Sequence, residues 1–269
     1  MCRPPEGREH SRREILMASS CEIRMIPVPL AGEILPGNDL AEKLADALRH
    51  QKLKLKTGDI LVVKHKIVSK SEGRVVRLSK VKASSAARAW SHQSGTDARV
   101  IELALSEGKR IVRKKKGVLI TETRHGFVCA NSGVDVSNVD GGKSAVLLPK
   151  DPDRSAANLR TRLSSLFRAD VAVIISDSFG RPWREGLTEV AIGVAGMKPL
   201  IDYRGRRDPH GYALHASYEA VADEVACAAG LVCGKLNRTP ACIVRGLAFQ
   251  SGRGRARELV RPAKNDLFR

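Results

Sequence analysis

Residues 170–196 read DVAVIISDSFGRPWREGLTEVAIGVAG, and the first few of them decide the architecture. Val171 to Ile175 is short, unbroken and rich in β-branched residues, the pattern of a strand covered on both faces. Just past its predicted end stand Asp177 and Ser178, then Gly180 and Pro182 as turn-formers, with Arg181, Trp183 and Arg184 around them. Oxygen ligands and guanidinium donors thus crowd the end of a rigid element, where reactive groups are best held in position. The plainer alternative is a turn carrying a solvated arginine pair.

Working outward, Cys21 to Val28 alternates as a strand, and LAGEILPGND after it is a loop whose Pro36 and Gly37 mark a turn. Asn38 or Asp39 caps a helix over LAEKLADALRH, with Leu40, Leu44 and Leu48 on one face. Ile60 to Val63 reads as a strand that leads into a basic loop holding Lys66, Ser69, Lys70 and Glu72, closed by Gly73. Helices follow over 84–93 and 97–105, and strands over 110–113, 118–122 and 127–130. The last of these delivers NSGVDVSN, so Asp135 and Asn138 lie at a second strand end. Paired carboxylates at two strand ends suit a hard cation such as magnesium or manganese, which takes one or two protein carboxylates when phosphates complete its shell. A turn-capping role for Asp135 and a solvent-facing Lys70 are the competing readings.

Gly142-Lys143-Ser144 imitates the end of a phosphate-binding P-loop, but Ser137 stands where the first glycine is required, and a Walker-type site is rejected. A capped helix over 153–167, the central strand, a strand over 190–194, the loop YRGRRDPHGYALH, a helix over 217–232 and a strand over 242–244 complete the chain. Val221, Val225 and Val232 give that last helix a core face, and Glu219, Asp223 and Glu224 read as solvated or capping acids. Strands and helices interleave without a βαβ cadence, so the expected fold class is α+β, with mixed β-sheets and flanking helices.

The 269 residues suffice to bury roughly 70–75% of the unfolded surface, enough for a core without staples. None of the six cysteines forms a CxxC pair, and they read as reduced thiols of a cytoplasmic protein. No apolar run reaches the roughly 18 residues of a membrane span. Residues 1–20 lack the apolar core of a secretory signal and read as a disordered extension before a domain over 21–269. The net charge of +18 belongs to the body, concentrated over 52–82, 109–116, 204–207 and 253–257. Such a field draws polyanions: nucleic acid, an acidic membrane surface, or a small multiply charged substrate. With aromatics at 4%, a stacking platform for single-stranded nucleic acid is disfavoured, and a solvated surface is the bland alternative.

SDSFGRPWREG followed by TEVAIG resembles the signature of the coenzyme F420 gamma-glutamyl ligases. GDILVVKHKIVSKSEGR at 58–74, RHGFVCANSGVDVSN at 124–138 and the segments YRGRRDPHGYALH, VADEVA and VRGL between 203 and 247 agree with it in order. The resemblance implies intimately joined subdomains, a homodimer, and GTP-dependent addition of L-glutamate, through a gamma-linked amide, to the F420 precursor by way of an acyl phosphate. It places the divalent metal, Mg2+ or Mn2+, on Asp135, Asp177 and Ser178, with K+ as a further cation. It places GTP on Ala31, Gly32, Glu33, Ile34, His65, Lys70 and Asn138. Charge and position make Arg181 and Arg184 the catalytic candidates, and Arg204, Arg206 and Arg207 the candidates for gripping anionic substrate groups.

This sequence departs from the family pattern in three places. Ser178 replaces a frequent threonine and keeps the hydroxyl. His65 stands where relatives place a serine. Cys233-Gly234-Lys235-Leu236 offers no acid where some archaeal members have a metal ligand, and leaves Lys235 free to meet a phosphate. The rival readings are ligation of glutamate to another acidic acceptor, folate-like or a variant deazaflavin, and an RNA-binding module with a vestigial site.

Overall fold

A computed structural model of the chain describes residues 22–115 and 117–266. The expected extension at 1–20 and Cys21 lie outside the described residues. In chain order the elements are β1 (Arg24–Val28), α1 (Leu40–His50), β2 (Ile60–Lys64), α2 (His65–Ser71), β3 (Val75–Arg77), α3 (Ser85–Ser94), α4 (Ala98–Glu107), β4 (Gly108–Lys115), β5 (Val118–Thr123) and β6 (Val128–Ala130). There follow β7 (Ser144–Val146), α5 (Pro152–Phe167), β8 (Ala172–Arg181), β9 (Arg184–Ala195), β10 (Ile201–Asp202), β11 (Tyr218–Glu219), α6 (Val221–Cys233) and β12 (Ala241–Arg245).

A five-stranded sheet in the order β1-β12-β2-β8-β9 forms the frame, beside a three-stranded sheet β4-β5-β6 and the pairs β3-β7 and β10-β11. In the large sheet β2 and β8 run parallel, Ile60 opposite Ala172 and Lys64 opposite Ser176, and the other neighbours are antiparallel. The α+β class with mixed sheets and flanking helices is therefore the observed one.

Alternation along the strands explains how the helices cover both faces. Leu61, Val63, Val173 and Ile175 pack on one side with Leu44 and Leu48 of α1 and Leu159 and Leu163 of α5. Ile60, Val62 and Ile174 pack on the other with Val221, Val225 and Ala229 of α6. A third cluster, around Leu103, Leu119 and Leu147, lies under the three-stranded sheet. Asp39 caps α1, accepting from the N–H groups of Ala41 and Glu42.

The structure corrects several expected boundaries. The central strand does not stop before Asp177: β8 runs on to Arg181 and returns as β9, with Arg181 opposite Arg184 across Pro182 and Trp183. The turn-formers thus mark a hairpin tip, with Trp183 in the left-handed region at φ 57°, and Asp177 and Ser178 sit inside a strand. The expected basic loop after β2 is the helix α2, which has no side-chain cap. The last long helix starts at Val221, because Tyr218 and Glu219 are already paired with β10. Asp223 is no solvated acid; it accepts from the N–H of Ala191 at 2.8 Å, and burial holds its carboxyl above the usual range despite that bond.

Candidate active site

At the ends of β2 and β8 opens a cavity of about 1120 Å³. Gly32, Glu33 and Ile34 form one wall, α2 contributes His65, Lys66 and Lys70, and the segment after β6 contributes Asp135, Ser137 and Asn138. Asp177 and Ser178 come from β8, and Lys235 from the loop after α6. Segments far apart in sequence converge here because β2 and β8 are parallel neighbours, so that α2 and Asp177 emerge at the same sheet end.

The pleat divides the site into two halves. Asp177 points to the α1/α5 side, like Ile175 and Phe179, and its Oδ1 lies 3.2 Å from His65 Nε2. His65 Nδ1 is in turn 3.4 Å from the Ser69 hydroxyl. One residue along α2, Lys66 Nζ reaches Asp135 Oδ2 at 2.8 Å and also donates to the Ser137 carbonyl and hydroxyl, both at 2.9 Å. The Asp135 carboxyl lies below the ordinary aspartate range: its burial alone would raise it, but Lys66 and the Ser137 N–H outweigh that. Lys70 Nζ pairs with Glu33 at 3.0 Å and donates to the Asn138 carbonyl at 3.4 Å.

Ser178 points to the opposite, α6 side of the sheet. There Glu189 of β9, across the hairpin register from Ser178, gathers a polar cluster. Its carboxylate takes Lys64 Nζ at 2.5 Å and accepts from the Ser178 hydroxyl at 2.6 Å and the Ser176 hydroxyl at 2.9 Å. Lys235 Nζ donates to the same Ser178 oxygen at 2.6 Å. Glu189 is 7% exposed; burial pushes its carboxyl up, yet Lys64 and the hydroxyls more than offset this and hold it below the ordinary glutamate range.

Sequence reasoning missed Glu189, Lys64 and Ser176. Period-2 placement puts Ser176 and Ser178 on one face, but a tip at Pro182-Trp183 alone would set Leu187 opposite Ser178. The register shift between Gly180 and Arg181 brings Glu189 there instead, so no local signal pointed to it.

Of the residues singled out from sequence, Gly32, Glu33, Ile34, His65, Lys70, Asp135, Asn138, Asp177 and Ser178 all line the cavity, whereas Ala31 is exposed beside it. The arginines stand elsewhere. Arg181 donates to the Glu185 carbonyl within the hairpin, Arg204 pairs with Asp202 at 2.6 Å, Arg206 lies over the Tyr203 ring, and Arg207 donates to the Gly211 carbonyl. None of these, nor Arg184, lines this cavity in the described chain.

Among the described residues no group of three or more His, Cys, Asp and Glu side chains is close enough to enclose a metal ion. Asp135 and Asp177 nevertheless fit a hard cation whose remaining ligands are phosphate oxygens, since magnesium and manganese seldom rely on an all-protein cage. Lys66, which pairs with Asp135, and Lys70, which pairs with Glu33, are equally suited to turn toward phosphates.

A family model described as F420-0:Gamma-glutamyl ligase matches residues 30–246. The chain is 44% identical over 252 residues to the coenzyme F420:L-glutamate ligase of Methanopyrus kandleri, covering 92% of this chain and 98% of that protein. It is 43% identical over 245 residues to the protein of the same name from Methanothermobacter thermautotrophicus, covering 90% and 96%. A third such protein, from Methanocaldococcus jannaschii, is 43% identical over 216 residues, covering 80% and 86%. The residues that line the cavity fall inside the span matched by the family model, and the chain belongs to the F420-0:gamma-glutamyl ligase family.

Proposed function

We propose that the cavity binds GTP and a divalent cation, Mg2+ or Mn2+, and joins L-glutamate through its amine to the lactyl carboxylate of the F420 precursor, a gamma-linked amide forming where a further glutamate is added to the first. The observation that carries this reading is the convergence of Asp135 and Asp177 beside Lys66 and Lys70. A surface that only bound RNA would have no use for paired carboxylates facing a phosphate backbone.

A carboxylate is a poor acylating agent and must first be activated. Its oxygen attacks the terminal phosphorus of GTP; the new O–P bond forms as the bond to the bridging oxygen breaks, and GDP leaves with that electron pair. Lys66, Lys70 and Lys235 line the space in which the transferring group carries its charge, and fixed ammonium groups stabilise that charge without reorganising. Asp135 and Asp177 would hold the divalent cation, which neutralises phosphate oxygens when bound. The Lys64–Glu189–Ser178 cluster keeps the neighbouring strand end rigid, so positioning does most of the work. In the second step the glutamate amine attacks the acyl carbon and inorganic phosphate departs.

Family membership supports a homodimer and a cytoplasmic setting; light scattering of the purified chain tests the first, and fractionation of the cells that make it the second. Among the described residues no helix is long and apolar enough to cross a membrane. The test of the chemistry is phosphate release from GTP with Mg2+ or Mn2+, run with and without precursor and glutamate, with and without K+, and read by mass spectrometry. Release that needs both substrates, with products heavier by whole glutamyl units, is the expected result. Release indifferent to glutamate would overturn it.

A further inference from the structure

A second cavity, of about 1150 Å³, opens beside α5. It is built from segments distant in sequence: the β5-β6 turn with His125 and Phe127, the start of α5, the end of β9, and the basic run at 253–261. Half-buried Phe127 lines it, whereas Ile192 and Val194 of β9, each 1% exposed, turn their side chains into the cores on opposite faces of the large sheet. The rings of His125 and Phe127 stack at 5.6 Å with 22° between their planes.

The charges around it are unequally committed. Asp153 spends Oδ1 on the N–H groups of Val194 and Ala256, Asp151 caps α5, and Glu122 pairs with Arg110. Lys150, Arg154, Arg253, Arg257 and Arg261 are exposed on the rim, and none has a side-chain ion pair among the described residues. His125 Nε2 lies 3.0 Å from the Pro149 carbonyl, whereas its Nδ1 is buried with no hydrogen-bond partner. Aromatic side chains in the wall below a rim of uncommitted guanidinium groups match a ligand that has both an aromatic ring and several anionic groups.

No described residue lines both cavities, but a chain of contacts joins them. Phe127 meets Phe179 edge-on at 6.3 Å, and Phe179 follows Asp177 by two residues on β8 and faces the same side, roughly 6–7 Å along the strand. Two residues beyond Phe127, Cys129 is near enough to Asp177 for that carboxylate to help raise its thiol. The segment 125–138 therefore runs from the second cavity past Asp177 into the first.

We propose that this second cavity seats the aromatic, multiply anionic acceptor, with its ring over His125 and Phe127, its charged groups on Arg154, Arg257 and Arg261, and its terminal carboxylate reaching past Phe179 toward Asp177. The proposal rests on the ligase reading above and replaces Arg204, Arg206 and Arg207 as the acceptor's grip.

The test titrates the F420 precursor lacking glutamate into the full chain without GTP, by calorimetry, and titrates GTP separately. In Arg257→Ala/Arg261→Ala, two exposed changes, precursor affinity should fall at least about tenfold, as expected for lost charge-assisted hydrogen bonds, with GTP affinity held within about twofold. Lys70→Ala should show the reverse, and saturating GTP should not displace the precursor. Unchanged precursor affinity in both Arg257→Ala/Arg261→Ala and Lys150→Ala/Arg154→Ala, displacement by GTP, or no binding by the wild type would each overturn the proposal. Product mass separates the two ideas. Glutamylated product with an unaltered KM for the precursor in Arg257→Ala/Arg261→Ala sinks the acceptor site alone. Precursor binding that these substitutions weaken, without glutamylated product from the wild type, leaves the cavity as a binding site and sinks the ligase reading.

Discussion

Replacing Glu189 by glutamine removes one charge from the middle of the hairpin and leaves its shape. The carboxylate it replaces is 7% exposed, and the Lys64 side chain that pairs with it is 18% exposed, so water screens this pair weakly. A glutamine still accepts from one hydroxyl but no longer neutralises Lys64. Losing a charge-assisted bond of this kind costs about 2–3 kcal/mol. For a chain of this size that lowers Tm by about 4–12 °C. Glu189→Ala, which strands Lys64 opposite an empty space, should cost about 3–5 kcal/mol. The pH dependence gives a sharper check. Glu189 has a folded pKa depressed below the ordinary glutamate value of about 4.3, so its contribution is complete above that value and is lost as pH falls through the folded pKa. The stability gap between wild type and Glu189→Gln, measured by urea unfolding, should therefore stay constant from neutral pH down to about pH 5.5 and close in stronger acid. A gap below about 0.5 kcal/mol at neutral pH, or one that widens in acid, would refute the assigned role of the pair.

Further outcomes follow from other parts of the structure. Lys70→Ala should weaken GTP binding by about 10–100-fold in a calorimetric titration, whereas Arg204→Ala, whose guanidinium is already paired with Asp202, should change it less than about twofold. Gly193→Ala should cost about 3 kcal/mol or more in chemical denaturation, because its new Cβ would stand 2.3 Å from the Pro152 carbonyl oxygen. Cys129 and Cys242 have thiols pushed by burial up to about 12; iodoacetamide at pH 8 should leave both unmodified in the folded protein and label both in urea, as read by peptide mass spectrometry.

The legible parts of the sequence were those whose signal is local. Five consecutive apolar residues at Val171–Ile175 mark a strand covered on both faces, because no amphipathic arrangement would tolerate them. Asp39 announces α1 through a side chain that caps its own helix. The hairpin was less legible: Gly180 and Pro182 were read as ending the strand, yet pairing with β9 runs unbroken from Ser176 to Gly180 and resumes at Arg181 after a register shift beside the glycine. Helix α2 was hidden because HKIVSKS is short, uncapped and β-branched, and its position after β2 holds it in place. Most of the residues that the resemblance assigned to the nucleotide line a single cavity, whereas the substrate arginines, chosen on charge and position, stand outside it. Charge does not reveal whether a guanidinium is already spent, as Arg204 is on Asp202. Glu189 needed the register of β8 on β9, a long-range fact that no local pattern carries.

The same register bears on the metal. Asp177 and Ser178 are consecutive in β8, so their side chains leave the strand on opposite faces, one toward His65 and the other toward Glu189 and Lys235. A single ion held by Asp135 and Asp177 would sit on the His65 side. The Ser178 oxygen already accepts from an ammonium group there, which supplies positive charge on the α6 side without a second metal. On this reading Asp177→Asn should weaken Mn2+ binding at least about tenfold, measured by titration with GDP present, because a carboxylate ligand is lost. Ser178→Ala should leave Mn2+ affinity within about threefold while reducing stability by about 1–2 kcal/mol, since Lys235 and Glu189 each lose a partner. If Ser178→Ala instead lost Mn2+ as completely as Asp177→Asn, the two side chains would have to share an ion, and the division of the site by the strand's pleat would be wrong.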